Sequence, residues 1–110
     1  MIQNLGWFLL ASLLEIGGCF AFWHWTRHHS PAWVPILGVG CLIGFAVALA
    51  RVDAAFAGRA YAAYGGIYIT ASLAWLWLAE GQRPTATDAL GAALAIGGAL
   101  IIIGLAPKAP

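Results

Sequence analysis

The chain has 110 residues and a formal net charge of +1, with 63% hydrophobic and only 8% charged residues. Average soluble domains carry about 25% charged residues, and so few charges cannot coat a water-facing surface of this size; the composition points to a bilayer protein. Five Lys and Arg scattered along the chain make no basic patch, so nucleic-acid binding is not expected.

The first apolar block runs from about Leu5 to Trp25. Met1 to Asn4 holds no Lys or Arg, whereas a secretory signal carries positive charge there. Ile16-Gly17-Gly18-Cys19 has some likeness to a lipoprotein cleavage box, but Glu15 would then interrupt the apolar core of the signal. The block is therefore expected to be a retained span. It ends at Thr26-Arg27-His28-His29-Ser30-Pro31. Ser30 followed by Pro31 predicts a helix start, a capping hydroxyl and then a residue with preset φ. The second span covers about 32–50, with Pro35 in its first turn. A charged connector from Arg51 to Arg59 precedes the third span, about 60–79. Glu80-Gly81-Gln82-Arg83-Pro84 breaks that helix. Thr85 with Asp88 three residues on resembles a capping box for the fourth span, about 89–106, and Pro107-Lys108-Ala109-Pro110 is a short tail.

Each block is near the ~20 residues that cross ~30 Å of hydrocarbon. Lipid offers nothing to hydrogen-bond an open backbone, so helix is required. The blocks lack the alternating polarity of a barrel strand. The expected fold is all-α: one domain of four transmembrane helices in an up-down antiparallel bundle with short connectors. An even number of spans puts both termini on one side, with Arg51, Arg59 and Lys108; Arg27 and Arg83 lie on the other. Three against two gives a slight lean to termini inside, and insertion in both orientations is the alternative.

Glu15 lies ten residues beyond Leu5, about 15 Å of rise, near the membrane midplane. An acid there costs on the order of 3 kcal/mol, and the other charges sit at span ends. A protonated Glu serving only as helix glue is one reading; a binding role is favoured, because intramembrane ionisable groups mark proton and ion pathways. Ala11, Ser12, Gly18 and Cys19 lie one turn either side and are small. Phe8 and Phe22 lie two turns away, so the carboxylate sits in a gap framed by aromatics. In span three, Tyr61, Tyr64, Tyr68, Ser72 and Trp75 follow a spacing of three to four and are expected to share a face. An aromatic packing face or interfacial belt is the plain reading; buried tyrosine hydroxyls seek partners and aromatic faces attract cations.

Gly65-Gly66, the Gly40 to Gly44 pair and the Gly91 to Ala95 pair are small-residue contacts. Gly91 and Gly98 lie on one stripe of span four, as do Gly97 and Gly104, which reads as an interface helix. Cys19 and Cys41 are expected to be packed free thiols. His28 and His29 are adjacent, do not share a face, and read as solvent-facing connector residues, so no metal site and no cofactor are expected. No triad, HExxH or phosphate loop is present, and no enzyme is expected.

The stretch Leu14-Glu15-Ile16-Gly17-Gly18-Cys19, the run from Ala57 to Tyr68 and Trp75-Leu76-Trp77 resemble the YnfA-like family of bacterial inner-membrane proteins. The resemblance covers nearly the whole chain, and that family is similar to the small multidrug resistance transporters. The resemblance implies that Glu15 is the essential acid binding proton or cationic substrate in turn. It implies that Ala60-Tyr61-Ala62-Ala63-Tyr64 lines the pocket, that Gly81-Gln82-Arg83 is the last connector, and that Gly91 and Gly98 pack the dimer. Where those transporters carry a Lys eight residues after the acid, this chain has Trp23, and the nearest cation is Arg27. The implied function is an antiparallel homodimer in the inner membrane exporting lipophilic or quaternary cations against protons, with Glu15, Ser12, Tyr61, Tyr64 and Tyr68 at its site. Alternatives are a non-transport partner subunit or assembly protein, and a transporter of another small metabolite.

Overall fold

The structure, a computed structural model, describes residues 2–105; the expectations for Met1, for Ala106 as the end of span four and for the tail fall outside the described residues. Four helices make up the chain: α1 (Ile2–His28), α2 (Trp33–Ala50), α3 (Ala57–Leu78) and α4 (Ala86–Gly104). The all-helical expectation holds, with no strand among the described residues. α1, α2 and α4 are long and apolar enough to cross a membrane. α3, with 22 residues, spans about 33 Å and has the length. Arg59, its tyrosines and its glycines leave it less apolar than the other three. The chain divides after Val52 into two compact units, a hairpin of α1 and α2 and a hairpin of α3 and α4.

In the first hairpin, glycine removes the side chain where backbones meet. A Cβ on Gly18 would lie 2.8 Å from Leu42 Cγ and 2.9 Å from the Gly38 carbonyl oxygen. One on Gly38 would lie 3.0 Å from both Ala21 Cβ and the Gly18 oxygen, and one on Gly44 would lie 3.2 Å from Leu14. The order Leu14, Gly18, Ala21 on α1 against Gly44, Leu42, Gly38 on α2 is an antiparallel register. Lipid tails are as apolar as leucine, so close approach and dispersion drive this contact. The expected Gly40–Gly44 contact is corrected: Gly40 faces open space, and Gly38 supplies the close approach instead.

α1 extends three residues past its apolar block. The Thr26 hydroxyl donates back to the Phe22 and Trp23 carbonyls, 3.0 Å each, and the Arg27 guanidinium lies 3.3 Å above the Trp23 ring. Arg27 and His28 also place basic side chains in the last turn, which favours the helix C-terminus. His29 at φ 53° then turns the chain out of the helix, a left-handed position that His tolerates better than most residues. The expected Ser30 cap is corrected. α2 starts at Trp33, Ala32 occupies the cap position with no side-chain bond, and the Ser30 hydroxyl is instead paired with His24 Nδ1. A backbone turn from Val34 N–H to the Pro31 carbonyl, 3.0 Å, opens α2.

The second hairpin repeats the glycine device. A Cβ on Gly66 would lie 2.8 Å from Ala99 Cβ and 3.2 Å from the Ala95 carbonyl oxygen, while Gly65 faces open space. α3 ends where Gly81 adopts φ 72°, a conformation costly for any residue with a Cβ, and the Gln82 N–H reaches back 2.9 Å to the Leu76 carbonyl. The capping box is present: Thr85 Oγ1 accepts from the Asp88 N–H at 3.2 Å and Asp88 Oδ2 accepts from the Thr85 N–H at 2.9 Å. It sets the start of α4 at Ala86 rather than the expected 89.

Gly18→Val and Gly66→Val are each predicted to lower stability by roughly 1–3 kcal/mol, the usual cost of overpacking. Gly17→Ala and Gly40→Ala, which meet open space, should change it by less than about 1 kcal/mol. Detergent-denaturation curves of the purified protein, followed by helical circular dichroism, separate the two classes.

Candidate functional site

Glu15 is the central residue of α1, thirteen residues from both Ile2 and His28. Its depth has a second marker within the same hairpin. Trp7 lies under Arg51, 5.8 Å from guanidinium to ring, and Trp23 lies under Arg27 at 3.3 Å. Trp and Arg gather at membrane–water interfaces. Glu15 lies eight residues from each of these two tryptophans, about 12 Å of rise. The carboxylate therefore lies midway along α1 between two tryptophan–arginine pairs of the kind found at membrane interfaces.

The residues around Glu15 divide between two stripes of α1. Leu14, Gly18, Ala21 and Phe22 face α2, and Phe22 lies against Gly38. Phe22 is thus a packing residue of the hairpin, and the expected aromatic frame is corrected at that end. Phe8, at 6% exposure, and Ser12, at 1%, are buried beside the half-buried Glu15. The Ser12 hydroxyl donates to the Leu9 carbonyl at 2.8 Å. Its proton is committed to its own helix, and its lone pairs are what it can offer a ligand. Cys19 and Cys41 are free thiols, but Cys19 is exposed rather than packed.

On α3 the buried face is Ala60, Ala63, Tyr64 and Gly66. Tyr64, 6% exposed, meets Tyr68 edge to face, with centroids 5.9 Å apart and planes at 89°. Ser72 and Trp75 continue the stripe, half-buried. Tyr61 does not join it: it is 57% exposed, one turn from the start of α3. The shared aromatic face is corrected to begin at Tyr64. On α4, a Cβ at Gly91 or Gly98 would meet nothing within 4 Å, because Ala95 and Ala99 make the contact with α3. Gly91 and Gly98 therefore lie off the hairpin interface.

One group went unread in the sequence. His24 precedes His28 by four residues, their rings lie 4.6 Å apart at the centroids, and His24 is paired with Ser30. The signal for it in the sequence is the spacing of four, which puts two side chains on one helix face, whereas the adjacent His28 and His29 do not share one. Beside this group an open cleft of about 300 Å³ is lined by Trp25, Thr26, His29 and Ser30.

The family model described as "Uncharacterised BCR, YnfA/UPF0060 family" matches residues 1–109. The chain is 58% identical over 102 residues to a protein of Ectopseudomonas mendocina (strain ymp) named "UPF0060 membrane protein", covering 93% of this chain and 92% of that one. It is 55% identical over 105 residues to a protein of the same name from Pseudomonas syringae pv. syringae (strain B728a), covering 96% and 94%. No solved structure matches.

Tyr68→Leu is predicted to lower stability by roughly 0.5–1.5 kcal/mol by removing the edge-to-face pair, whereas Tyr61→Leu should stay within about 0.5 kcal/mol. Equal losses in a denaturation series would contradict the assignment of only Tyr64 and Tyr68 to the packed stripe.

Proposed function

We propose, for a chain that belongs to the YnfA/UPF0060 family and is a small multi-pass membrane protein, the function of a proton-coupled exporter of lipophilic cations. The observation that carries this reading is the carboxylate of Glu15 at the centre of α1. In this reading a proton and a cation occupy the Glu15 carboxyl in turn, because hydrocarbon disfavours an uncompensated anion. A lipophilic or quaternary cation favours the anion and displaces that proton. Occupancy by one or the other couples the two gradients. No chemical bond of the substrate changes, and the protein acts without enzymatic chemistry.

The buried Tyr64 and half-buried Tyr68 rings offer faces and edges suited to an apolar cation, and Ser12, one turn from Glu15, offers acceptor lone pairs. Tyr61, exposed on the single chain, serves the site from a second copy in this reading. Four helices are too few to enclose a drug-sized ligand, so two chains form the transporter and two Glu15 share the site. Gly91 and Gly98, which face open space, fit a close α4 contact in that homodimer. An antiparallel arrangement turns the site inside out when its halves exchange conformations, as inverted repeats do. The location proposed is the bacterial inner membrane.

Addition of tetraphenylphosphonium to purified, detergent-held protein should release protons across a pH series, and the release should be absent in Glu15→Gln. Release that survives in the Gln variant removes Glu15 as the shared site. No release from the native chain at any pH contradicts exchange and favours a partner-subunit role.

A further inference from the structure

α1 outruns the hydrocarbon. Its 27 residues rise about 40 Å against ~30 Å of core, so its last turn, with His24 and His28, lies in the interfacial layer. Both histidines are exposed. Their spacing of four residues places them on one face, as in helical metal motifs. Two imidazoles bound to one ion at about 2.0–2.1 Å per nitrogen, with the nitrogens near a right angle, hold their ring centroids about 4.5 Å apart. The His24 and His28 centroids are 4.6 Å apart. That separation is compatible with a shared ion in right-angled geometry, the tetragonal arrangement of Cu²⁺ or Ni²⁺.

The surroundings fit a cation. Ser30 Oγ and His24 Nδ1 form a hydrogen bond. With Nδ1–H as donor, Nε2 of His24 carries the lone pair, and Ser30 fixes the ring as outer-shell partners of metal-bound histidines do. The neighbouring positive charge is turned aside, since the Arg27 guanidinium lies over Trp23 with its Nη1 3.4 Å from the Thr26 hydroxyl. Both imidazoles are exposed, so water can reach the remaining coordination positions. Among the described residues no third His, Cys, Asp or Glu joins the group, so the two histidines and water make up the coordination set.

We propose that His24 and His28 form a binding site for a divalent transition-metal ion at the interfacial end of α1, positioned by Ser30. Imidazole ligands suit copper, nickel and zinc, and Cu²⁺ binds tightest of the series. This assignment replaces the expectation of no metal, which considered only the adjacent His28 and His29. A bound ion bridges one turn of α1, and through Ser30 it holds that turn to the connector leading into α2. The site is independent of the transport reading and of Glu15.

The test uses the full chain, purified in detergent without a histidine tag and titrated with Cu²⁺. Electron paramagnetic resonance should show a one-to-one species with coupling to two imidazole nitrogens, which equimolar Zn²⁺ should leave in place. His24→Gln and His28→Gln should each weaken binding more than tenfold and lose the two-nitrogen signature. His29→Gln should keep both. Ser30→Ala should weaken binding about tenfold while keeping the signature, the usual size of an outer-shell loss. Helical circular dichroism of each variant confirms that the fold is intact. Unchanged Cu²⁺ binding in the His24→Gln, His28→Gln double variant would overturn the proposal, as would loss of the signature in His29→Gln or no binding by the native chain.

Discussion

A carboxyl group at the centre of an apolar helix is the constraint on which the rest of the reading depends. Placing an acid at the bilayer centre costs on the order of 3 kcal/mol, several times what a net hydrogen bond within a protein contributes. The surroundings limit the cost. Ser12 and Phe8 are buried beside Glu15 and Glu15 itself is half-buried, so it lies on a face of α1 that is largely withdrawn from lipid. The Trp7 and Trp23 anchors with their arginines hold it at equal depth from both interfaces. If α1 slid by one turn, about 5.4 Å, an anchor would be pulled into hydrocarbon or out into water.

Packing follows from the same solvent. In water, burial of leucine would hold two helices together at about 25 cal/mol per Å²; in lipid that term vanishes and contact depends on how closely backbones approach. The exposures reflect this. Large apolar side chains such as Leu37, Ile43, Leu94 and Leu100 face outward, and the contacts are made by Gly18, Gly38, Gly44 and Gly66. Both hairpins use the same device of one helix's glycine against the other's carbonyl oxygen and small side chain. That economy leaves the glycines of α4, where an added Cβ would meet nothing within 4 Å, free of hairpin duty.

Much of the fold was legible because it rests on local chemistry. Four apolar blocks, the Thr85–Asp88 box and the Gly81 break are properties of neighbouring residues, and the structure returns each of them. What was not legible depends on choices between local partners. Ser30 had two uses open to it, capping α2 or bonding His24, and only the geometry of the connector decides. Gly38, Gly40 and Gly44 are equally small in sequence, but the register against α1 selects the first and third. Tyr61 has the spacing of the stripe, yet it faces outward between the buried Ala60 and Ala63. Helix ends fared worst, since Thr26 and Arg27 satisfy themselves on α1 and carry it past its apolar block. The place of Glu15 at the centre of its helix is legible because counting along a helix needs no partner.

The arginines bear on orientation. Each one lies over an aromatic ring: Arg27 on Trp23, Arg51 on Trp7, Arg59 on Phe56 and Arg83 on Trp77. Within the first hairpin, Arg27 marks the closed end and Arg51 the open end. Within the second, Arg83 marks the closed end and Arg59 the open end. Orientation in the membrane follows the excess of Lys and Arg on one side, with Asp and Glu counting little. Among the described residues each hairpin is balanced by itself, so neither imposes a direction on the other. Stacking on an aromatic ring anchors each guanidinium at an interface without favouring one interface over the other. The slight three-against-two lean of the whole sequence therefore rests on Lys108 alone, since the two hairpins add nothing to it. That balance arises from how the arginines are distributed, not from how few there are. It supports the antiparallel pairing that the proposed exchange requires.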